Sequence, residues 1–272
     1  MSEPSRFPDA PADFDVEAAV RVEQRGAARW ITLDRPTALN ALNAPMLERM
    51  SHAVESAQAD EAVRVVVLTG TGPAFSAGAD MESLRVAPQH PQATMDGAHR
   101  LVRAVVSVDV PVVAAVNGVA AGVACSAALA ADLVVAAESA AFLLPFTRLG
   151  LMTDGGSSAS IVAAIGRART MRMALLGEPL PAADALAAGL ITHLAPDAEL
   201  ESLVTSLAER LAAGPALAQT AIKRAVNATA LPAFEQALDR ESSGQQALFR
   251  TRDFGEGLAA FAERRRPVFR GE

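Results

Sequence analysis

An α/β fold with mostly parallel strands is predicted by three observations. Two β-branched runs, Val63 to Leu68 and Pro111 to Val116, read as buried strands. Each is followed by a glycine turn, Thr69-Gly70-Thr71-Gly72-Pro73 in one case and Asn117-Gly118 in the other. Helical spacing follows or precedes them, as in Leu101, Val102, Val105 and Val106, so strands and helices alternate along the chain.

Taken in order, Trp30 to Leu33 is a strand closed by Asp34-Arg35-Pro36. Asn40 then opens a helix carrying Met46, Leu47, Met50, Val54 and Ala57 on one face. A second glycine turn, Phe75-Ser76-Ala77-Gly78-Ala79-Asp80, follows the Val63 strand. The segment from Glu82 to Gly97, with Pro88 and Pro91, has no clean period and is expected to be mobile. Val110 to Ala131 is uncharged and long enough to raise a membrane span, but Pro111, Asn117, Gly118, Gly122 and Ser126 interrupt it. It divides better into the Pro111 strand and a small-residue helix from Ala120 to Ala131, with Asp132 to Val135 returning as strand. The amides at such a helix start lie at the positive end of the dipole and can hold an anion or a developing oxyanion. Ordinary core packing is the alternative.

Ala141 to Leu143 is a further strand, and Asp154-Gly155-Gly156 opens a helix from Ser157 to Leu176. Helices over Pro181 to Gly189 and Ala198 to Ala213 flank a short strand, Leu190 to Leu194. Beyond Gly214-Pro215 everything reads as helix. These signals divide the chain into a loose tail over 1–15, an α/β core over 16–195 and a helical part over 196–272.

A chain of 272 residues with 51% hydrophobic content can bury a sizeable core. Its net charge of −7 argues against nucleic acid as a main partner, since phosphate binding needs a basic footprint. Cys125 is the sole cysteine, which excludes an intramolecular disulfide and a cysteine-based metal site. The polar, Pro-rich start has no apolar core of a secretory signal, so a cytoplasmic location is expected. His52, His90, His99 and His193 show no metal-ligand spacing, though His90 or His99 can reach a site from the segment around them. No Walker motif, nucleophile elbow or complete dinucleotide fingerprint is present, and there is no tyrosine.

Four stretches, in order, resemble the crotonase, or enoyl-CoA hydratase/isomerase, superfamily. They are Leu33-Asp-Arg-Pro-Thr-Ala-Leu-Asn-Ala-Leu42, Phe75-Ser-Ala-Gly-Ala-Asp80, Ala115-Val-Asn-Gly-Val-Ala-Ala-Gly122 and Ala260-Phe-Ala-Glu-Arg-Arg-Arg-Pro-Val-Phe269. The resemblance implies a spiral of repeated ββα units with C-terminal helices that build homotrimers, two of which commonly stack into a hexamer. It implies an acyl-CoA thioester as partner, with coenzyme A present only as part of the substrate and no separate cofactor. The backbone N–H groups of Ala79 and Val123 match the family's oxyanion hole, which stabilises charge on the thioester oxygen. Arg35, Ala38, Ser76, Ala77 and Asp80 match its CoA-binding positions, joined by Phe261 and Arg264 from the C-terminal helices, often those of a neighbouring subunit. Thr37 and Glu82 stand where hydratases often carry phosphate-binding lysines; Arg35 and the Arg264-Arg265-Arg266 run are the candidates to replace that charge, a solvated helix end being the other reading of the run.

The same alignment puts Ser126 and Phe146 at the two positions where hydratases carry glutamates. Neither side chain can act as a general base near neutral pH, so water addition is not expected. Asp154 matches an aspartate that serves as base in some isomerase members, and one base suffices to move a double bond. Asp154 is equally well placed to cap the helix that follows it. Two readings therefore stand: an enoyl-CoA isomerase using an oxyanion hole and Asp154, or a non-catalytic acyl-CoA carrier. Met81, Met95, Leu143, Leu144 and Phe146 are candidates to line an acyl pocket, or simply to pack the core.

Overall fold

The computed structural model describes residues 15–86 and 91–272. The expected loose tail therefore falls, but for its last residue, outside the described residues, as do His90 and Pro88. After a short helix α1 (Val16–Ala19), a hairpin of β1 (Val20–Arg25) and β2 (Ala28–Leu33) leads to α2 (Ala44–Glu55). The chain then repeats one pattern. A strand of a large sheet is followed by a strand of a small sheet and then by helix: β3 (Val65–Gly70), β4 (Ala74–Ser76), α3 (Met81–Val86) and α4 (Pro91–Ser107). The next units are β5 (Val112–Val116), β6 (Val119–Ala121) and α5 (Val123–Leu129), then β7 (Leu133–Ala137), β8 (Ala141–Leu143) and α6 (Ser157–Leu176). Successive units advance one strand along each sheet, which makes the ββα spiral.

The chain closes with β9 (Leu180–Pro181), α7 (Ala182–Ala187), β10 (His193–Ala195) and four helices, α8 (Leu200–Ala212), α9 (Ala216–Ala230), α10 (Phe234–Leu248) and α11 (Arg252–Ala262). The large sheet is six-stranded, β1-β2-β3-β5-β7-β10, and parallel except for the hairpin. The small sheet is four-stranded, β4-β6-β8-β9, with only β9 antiparallel.

Local chemistry explains the elements. Val65 to Leu68 and all of β5 are buried, as strands covered on both faces must be. Burying each such Val or Leu contributes roughly 1.5–3 kcal/mol. In α2, Met46, Leu47, Met50 and Val54 form the buried stripe facing α4, and in α8 Leu200, Val204 and Ala208 lie against the large sheet. Phe234 and Leu238 of α10 pack on Val102 of α4 in a smaller cluster, which docks the helical part onto the core.

Several expectations need correction. Asn40 does not open a helix: it is buried in the left-handed conformation at φ 56°, and the cap of α2 is Asn43, whose Oδ1 accepts the Met46 N–H at 3.1 Å. Of the Glu82–Gly97 segment, the described residues lie in α3 and α4, with Pro91 at the first position of α4 where it costs little, and Pro88 falls outside them. The expected helix from Ala120 begins only at Val123, because Ala120 and Ala121 pair with Phe142 and Leu143. The short strand expected at Leu190 to Leu194 is His193–Ala195, and Pro181 to Gly189 shortens to Ala182–Ala187 as helix.

Candidate active site

Two glycine turns meet where the second and third ββα units adjoin. Gly78 adopts φ +92°, and a Cβ there would sit 2.8 Å from the Ala121 carbonyl oxygen, so only glycine lets the turns close. Gly122 follows at φ +53°, its N–H donating to the Leu143 carbonyl at 2.9 Å. Ala79 bridges Leu42 in parallel fashion. Leu42 N–H donates to Gly78 O at 2.7 Å and Asp80 N–H to Leu42 O at 2.8 Å, which turns the Ala79 N–H to the opposite side. Val123 is the first residue of α5, so its N–H has no partner within the helix. Among the described residues, neither the Ala79 nor the Val123 amide donates to a protein acceptor. Two free N–H groups thus flank Gly78 and Gly122, whose backbones are in contact.

The first turn is fastened by buried polar groups. Asn40 Nδ2 donates to the Thr71 and Ala74 carbonyls, both at 2.9 Å, and its Oδ1 accepts the Arg35 N–H at 2.8 Å. Ser76 Oγ donates to Asn40 O at 2.7 Å and accepts the Gly78 N–H at 3.1 Å. The Arg35 guanidinium pairs with Asp80 at 3.0 Å and donates to the Ala41 carbonyl at 2.9 Å. Arg35, Ala38, Ser76, Ala77 and Asp80 therefore share one rim, tied further by the Ala77 N–H to Leu39 O at 2.9 Å. The Ser76 hydroxyl is fully buried and committed to the turn, while Ala77 is exposed.

Phe261 and Arg264 lie at the exposed end of α11, which packs on the 145–149 segment. Arg265 of the same basic run is taken up by Glu256, at 2.8 Å, and by Glu263. That pairing holds the Glu256 carboxyl down at about 2 and raises Arg265. The middle arginine of the run is thereby neutralised locally.

Asp154 is 8% exposed, in the loop between β8 and α6. Its Oδ2 accepts a hydrogen bond from Gln245 Nε2 at 3.1 Å, and its Oδ1 is buried without a partner among the described residues. The Asp154 carbonyl accepts from Ser126 Oγ at 2.8 Å and Ser157 Oγ at 2.9 Å. Ser126 stands one turn beyond Val123 in α5, so this bond moors the Asp154 loop beside the free Val123 amide. Phe146 flanks the same place, its ring 3.8 Å from where a Gly122 Cβ would lie.

Burial pushes the Asp154 carboxyl up to about 7; the Gln245 hydrogen bond opposes this and the neighbouring Glu241 charge adds to it. The side chain does not cap α6. That role falls to Glu241 of α10, fully buried, which accepts the Gly156 N–H at 2.7 Å and the Ser158 N–H and Oγ at 3.0 and 2.5 Å. Burial raises the Glu241 carboxyl, against those hydrogen bonds. His99 is buried on α4 with Nε2 4.0 Å from Glu241; burial lowers its pKa and favours the neutral ring. Glu241 and Gln245 escaped the sequence reading. Their signal was a Glu and a Gln falling at helical spacing with Phe234, Ala237 and Leu238 on the buried face of α10.

The described residues contain no group of three or more His, Cys, Asp or Glu side chains that could hold a metal ion, and no helix long and apolar enough to cross a membrane.

The ββα spiral thus brings two unpaired amides together at abutting glycine turns, with a buried carboxylate in the loop moored to α5. The enoyl-CoA hydratase/isomerase family model matches residues 23–272, and the chain belongs to that family, whose substrates are acyl-CoA thioesters. A probable enoyl-CoA hydratase of Rhodobacter capsulatus is 40% identical over 253 residues, 93% of this chain and 98% of that protein. The 1,2-epoxyphenylacetyl-CoA isomerase of Escherichia coli is 36% identical over 247 residues, 89% of this chain and 94% of that one. Among solved structures, an enoyl-CoA hydratase of Mycobacterium avium subsp. paratuberculosis superposes with a TM-score of 0.86 at 44% identity, covering 93% of this chain and 99% of that one.

Proposed function

We propose that the protein is an enoyl-CoA isomerase in which the Ala79 and Val123 N–H groups hold the thioester oxygen and Asp154 shuttles one proton. The observation that carries this reading is the Asp154 carboxylate itself: buried, relieved of the capping role by Glu241, and left with one unpartnered oxygen beside the helix that begins at Val123. Deprotonating the α-carbon of a 3-enoyl-CoA moves its electrons into the thioester, and the oxyanion charge meets fixed donors. Asp154 takes that proton and returns it to the γ-carbon, giving the conjugated 2-enoyl-CoA. Atoms and charge balance without a further cofactor. A carboxyl poised near neutrality suits a group that must both take and give a proton.

Water addition has less support. Ser126 donates its hydroxyl to the Asp154 carbonyl and Phe146 is a hydrocarbon ring, so neither supplies a second acid–base group. Relatives carry both hydratase and isomerase names, so the choice rests on the side chains of this chain. The Arg35–Asp80 rim is the reading for the CoA nucleotide, with Phe261 and Arg264 reaching it from another copy. Exposed apolar side chains on α6 and α9, among them Leu175, Leu217 and Ile222, support a homotrimer or a dimer of trimers. A cytoplasmic location belongs to the same reading.

The test is a paired assay on the protein and its Asp154→Asn variant, following 3-enoyl-CoA conversion while calorimetry measures acyl-CoA affinity. Turnover lost in the variant with affinity kept supports the isomerase. Equal binding with no turnover in either protein overturns it and leaves the acyl-CoA carrier.

A further inference from the structure

α10 belongs to the helical C-terminal part, yet its buried face reaches the candidate active site at three successive points. Glu241 receives the start of α6, Gln245 meets Asp154, and Gly244 lies between them against Met152. A Cβ on Gly244 would collide with the Met152 sulfur, so the absence of a side chain there lets α10 approach the 152–158 segment closely. At that approach the Gln245 amide is used at both ends. Its Oε1 accepts the Met152 N–H at 3.1 Å and its Nε2 donates to Asp154 Oδ2 at 3.1 Å. The amide is therefore held by backbone in one orientation, with its donor aimed at one carboxylate oxygen. The result is an asymmetric carboxylate, Oδ2 occupied and Oδ1 without a partner among the described residues.

We infer that Gln245 is a positioning residue for Asp154: by clamping Oδ2 to the Met152 backbone it leaves Oδ1 as the oxygen that exchanges the proton, and it stabilises the ionised carboxylate that must do so. The inference rests on the isomerase reading for its catalytic meaning, but the clamp itself is a property of the protein without substrate. A carbonyl-type acceptor in place of the donor would face Oδ2 with like charge, and an apolar side chain would leave Oδ2 buried and unpaired; either change disfavours ionisation. The other charged or titratable groups facing this carboxylate are few. Glu241 from α10 adds negative charge, itself offset by Arg240, and His99 from α4 stands behind Glu241 with its ring neutral. Ser126 from α5 faces the Asp154 carbonyl, leaving the carboxylate to Gln245.

Two variants separate clamping from mere packing. Gln245→Glu keeps the shape and an acceptor for the Met152 N–H but removes the donor; Gln245→Met removes both. The readout is the ionisation midpoint of Asp154, followed by isotope-edited infrared spectroscopy of the full-length protein labelled with carbon-13 aspartate. The band is assigned by its loss in Asp154→Asn. Both variants are expected to move the midpoint up by about one pH unit or more, the worth of one hydrogen bond to a charged group. In turnover of a 3-enoyl-CoA the acid limb of kcat should move with it, kcat falling about fivefold at about pH 7 and about tenfold at more acid pH while KM holds.

A midpoint unmoved in Gln245→Glu, with the Asp154 band assigned, overturns the inference, since packing alone is preserved there. If Gln245→Met does not fold, Gln245→Glu decides. If the wild-type protein shows no turnover, the isomerase reading falls while the midpoint still decides the clamp. If turnover is present and the midpoint does not move, the clamp falls and the isomerase stands.

Discussion

Glu241 caps a helix whose N-cap residue lies 85 residues before it: its Oε2 accepts the Gly156 N–H at 2.7 Å, and its Oε1 takes the Ser158 N–H and hydroxyl. A fully buried carboxylate is tolerated there because three donors and the helix dipole meet it. Glu241→Leu removes those bonds and leaves buried amides unsatisfied. The expected loss is about 2–4 kcal/mol, read from urea unfolding midpoints at unchanged m-value.

The cap of α6 is supplied from α10 and not by Asp154, and with Asp154 as the proposed base its ionisation sets the pH dependence. Isomerisation should rise with pH along a single limb centred near 7, where the base becomes ionised. Asp154→Asn should remove that limb and lower kcat by about 100-fold or more. A pH-independent residual rate in the wild-type protein would contradict this.

The same carboxyl carries a stability signature. Its native value, about 7, lies above the unfolded value of 3.8, so the native state binds the extra proton between the two. Stability is therefore full below about pH 4, falls as pH rises, and the loss is complete above about pH 7. The loss is on the order of 4 kcal/mol. Asp154→Asn should match the wild-type melting temperature at low pH and exceed it by several degrees at about pH 8.

The contact between the glycine turns makes a sharper test of the two amides than any side-chain change. In Gly78→Ala the new methyl overlaps the Ala121 carbonyl, at 2.8 Å, in a backbone region alanine avoids. The turns must separate and the Ala79 N–H must move. With Ala79 as a donor of the proposed oxyanion hole, the change predicts a fall in kcat of about 100- to 1,000-fold, with far less effect on acyl-CoA affinity measured by calorimetry.

α9 is held to the core mainly by polar contacts. Lys223 Nζ lies 2.8 Å from Asp132 Oδ2 and donates to the Val105 and Val110 carbonyls at 2.9 and 3.3 Å. Burial disfavours both charges, raising Asp132 and lowering Lys223, so each depends on its partner. Lys223→Met leaves the half-buried Asp132 carboxylate without its cation, held only by the Val112 N–H, and should cost about 3 kcal/mol, the low end for a broken buried pair. Adding Asp132→Asn, which can still accept the Val112 N–H bond to that position, should recover much of the loss in a double-mutant cycle.

The alternation of buried strands and helices was legible because each unit carries its own local signal. Val65 to Leu68 and Val112 to Val116 are apolar throughout, mostly valine and alanine, as strands covered on both faces are. The Gly78 turn was legible for a related reason, since Gly78 holds a backbone conformation that few other residues adopt, whereas Gly122, read as part of a helix, proved to be the turn that precedes it. Helix starts were less so. Asn40 and Asn43 look alike as caps, and only the pull of the Thr71 and Ala74 carbonyls sends Asn40 into the left-handed region. Ala120 and Ala121 favour helix locally, but pairing with β8 makes them strand.

By itself, the sequence determined the α/β class, the alternation of units and the Gly78 turn, because these follow from periodicity and backbone preference within a few residues. Whether Asp154 caps a helix or keeps a free oxygen was decided only by the tertiary structure. The choice depends on Glu241 and Gln245, whose contacts with the 152–158 segment are made across more than 80 residues of chain. No local propensity encodes such a pairing. Packing α10 against the core puts a carboxylate on the Gly156 amide and an amide on Asp154, and burial then raises the Asp154 carboxyl toward neutrality.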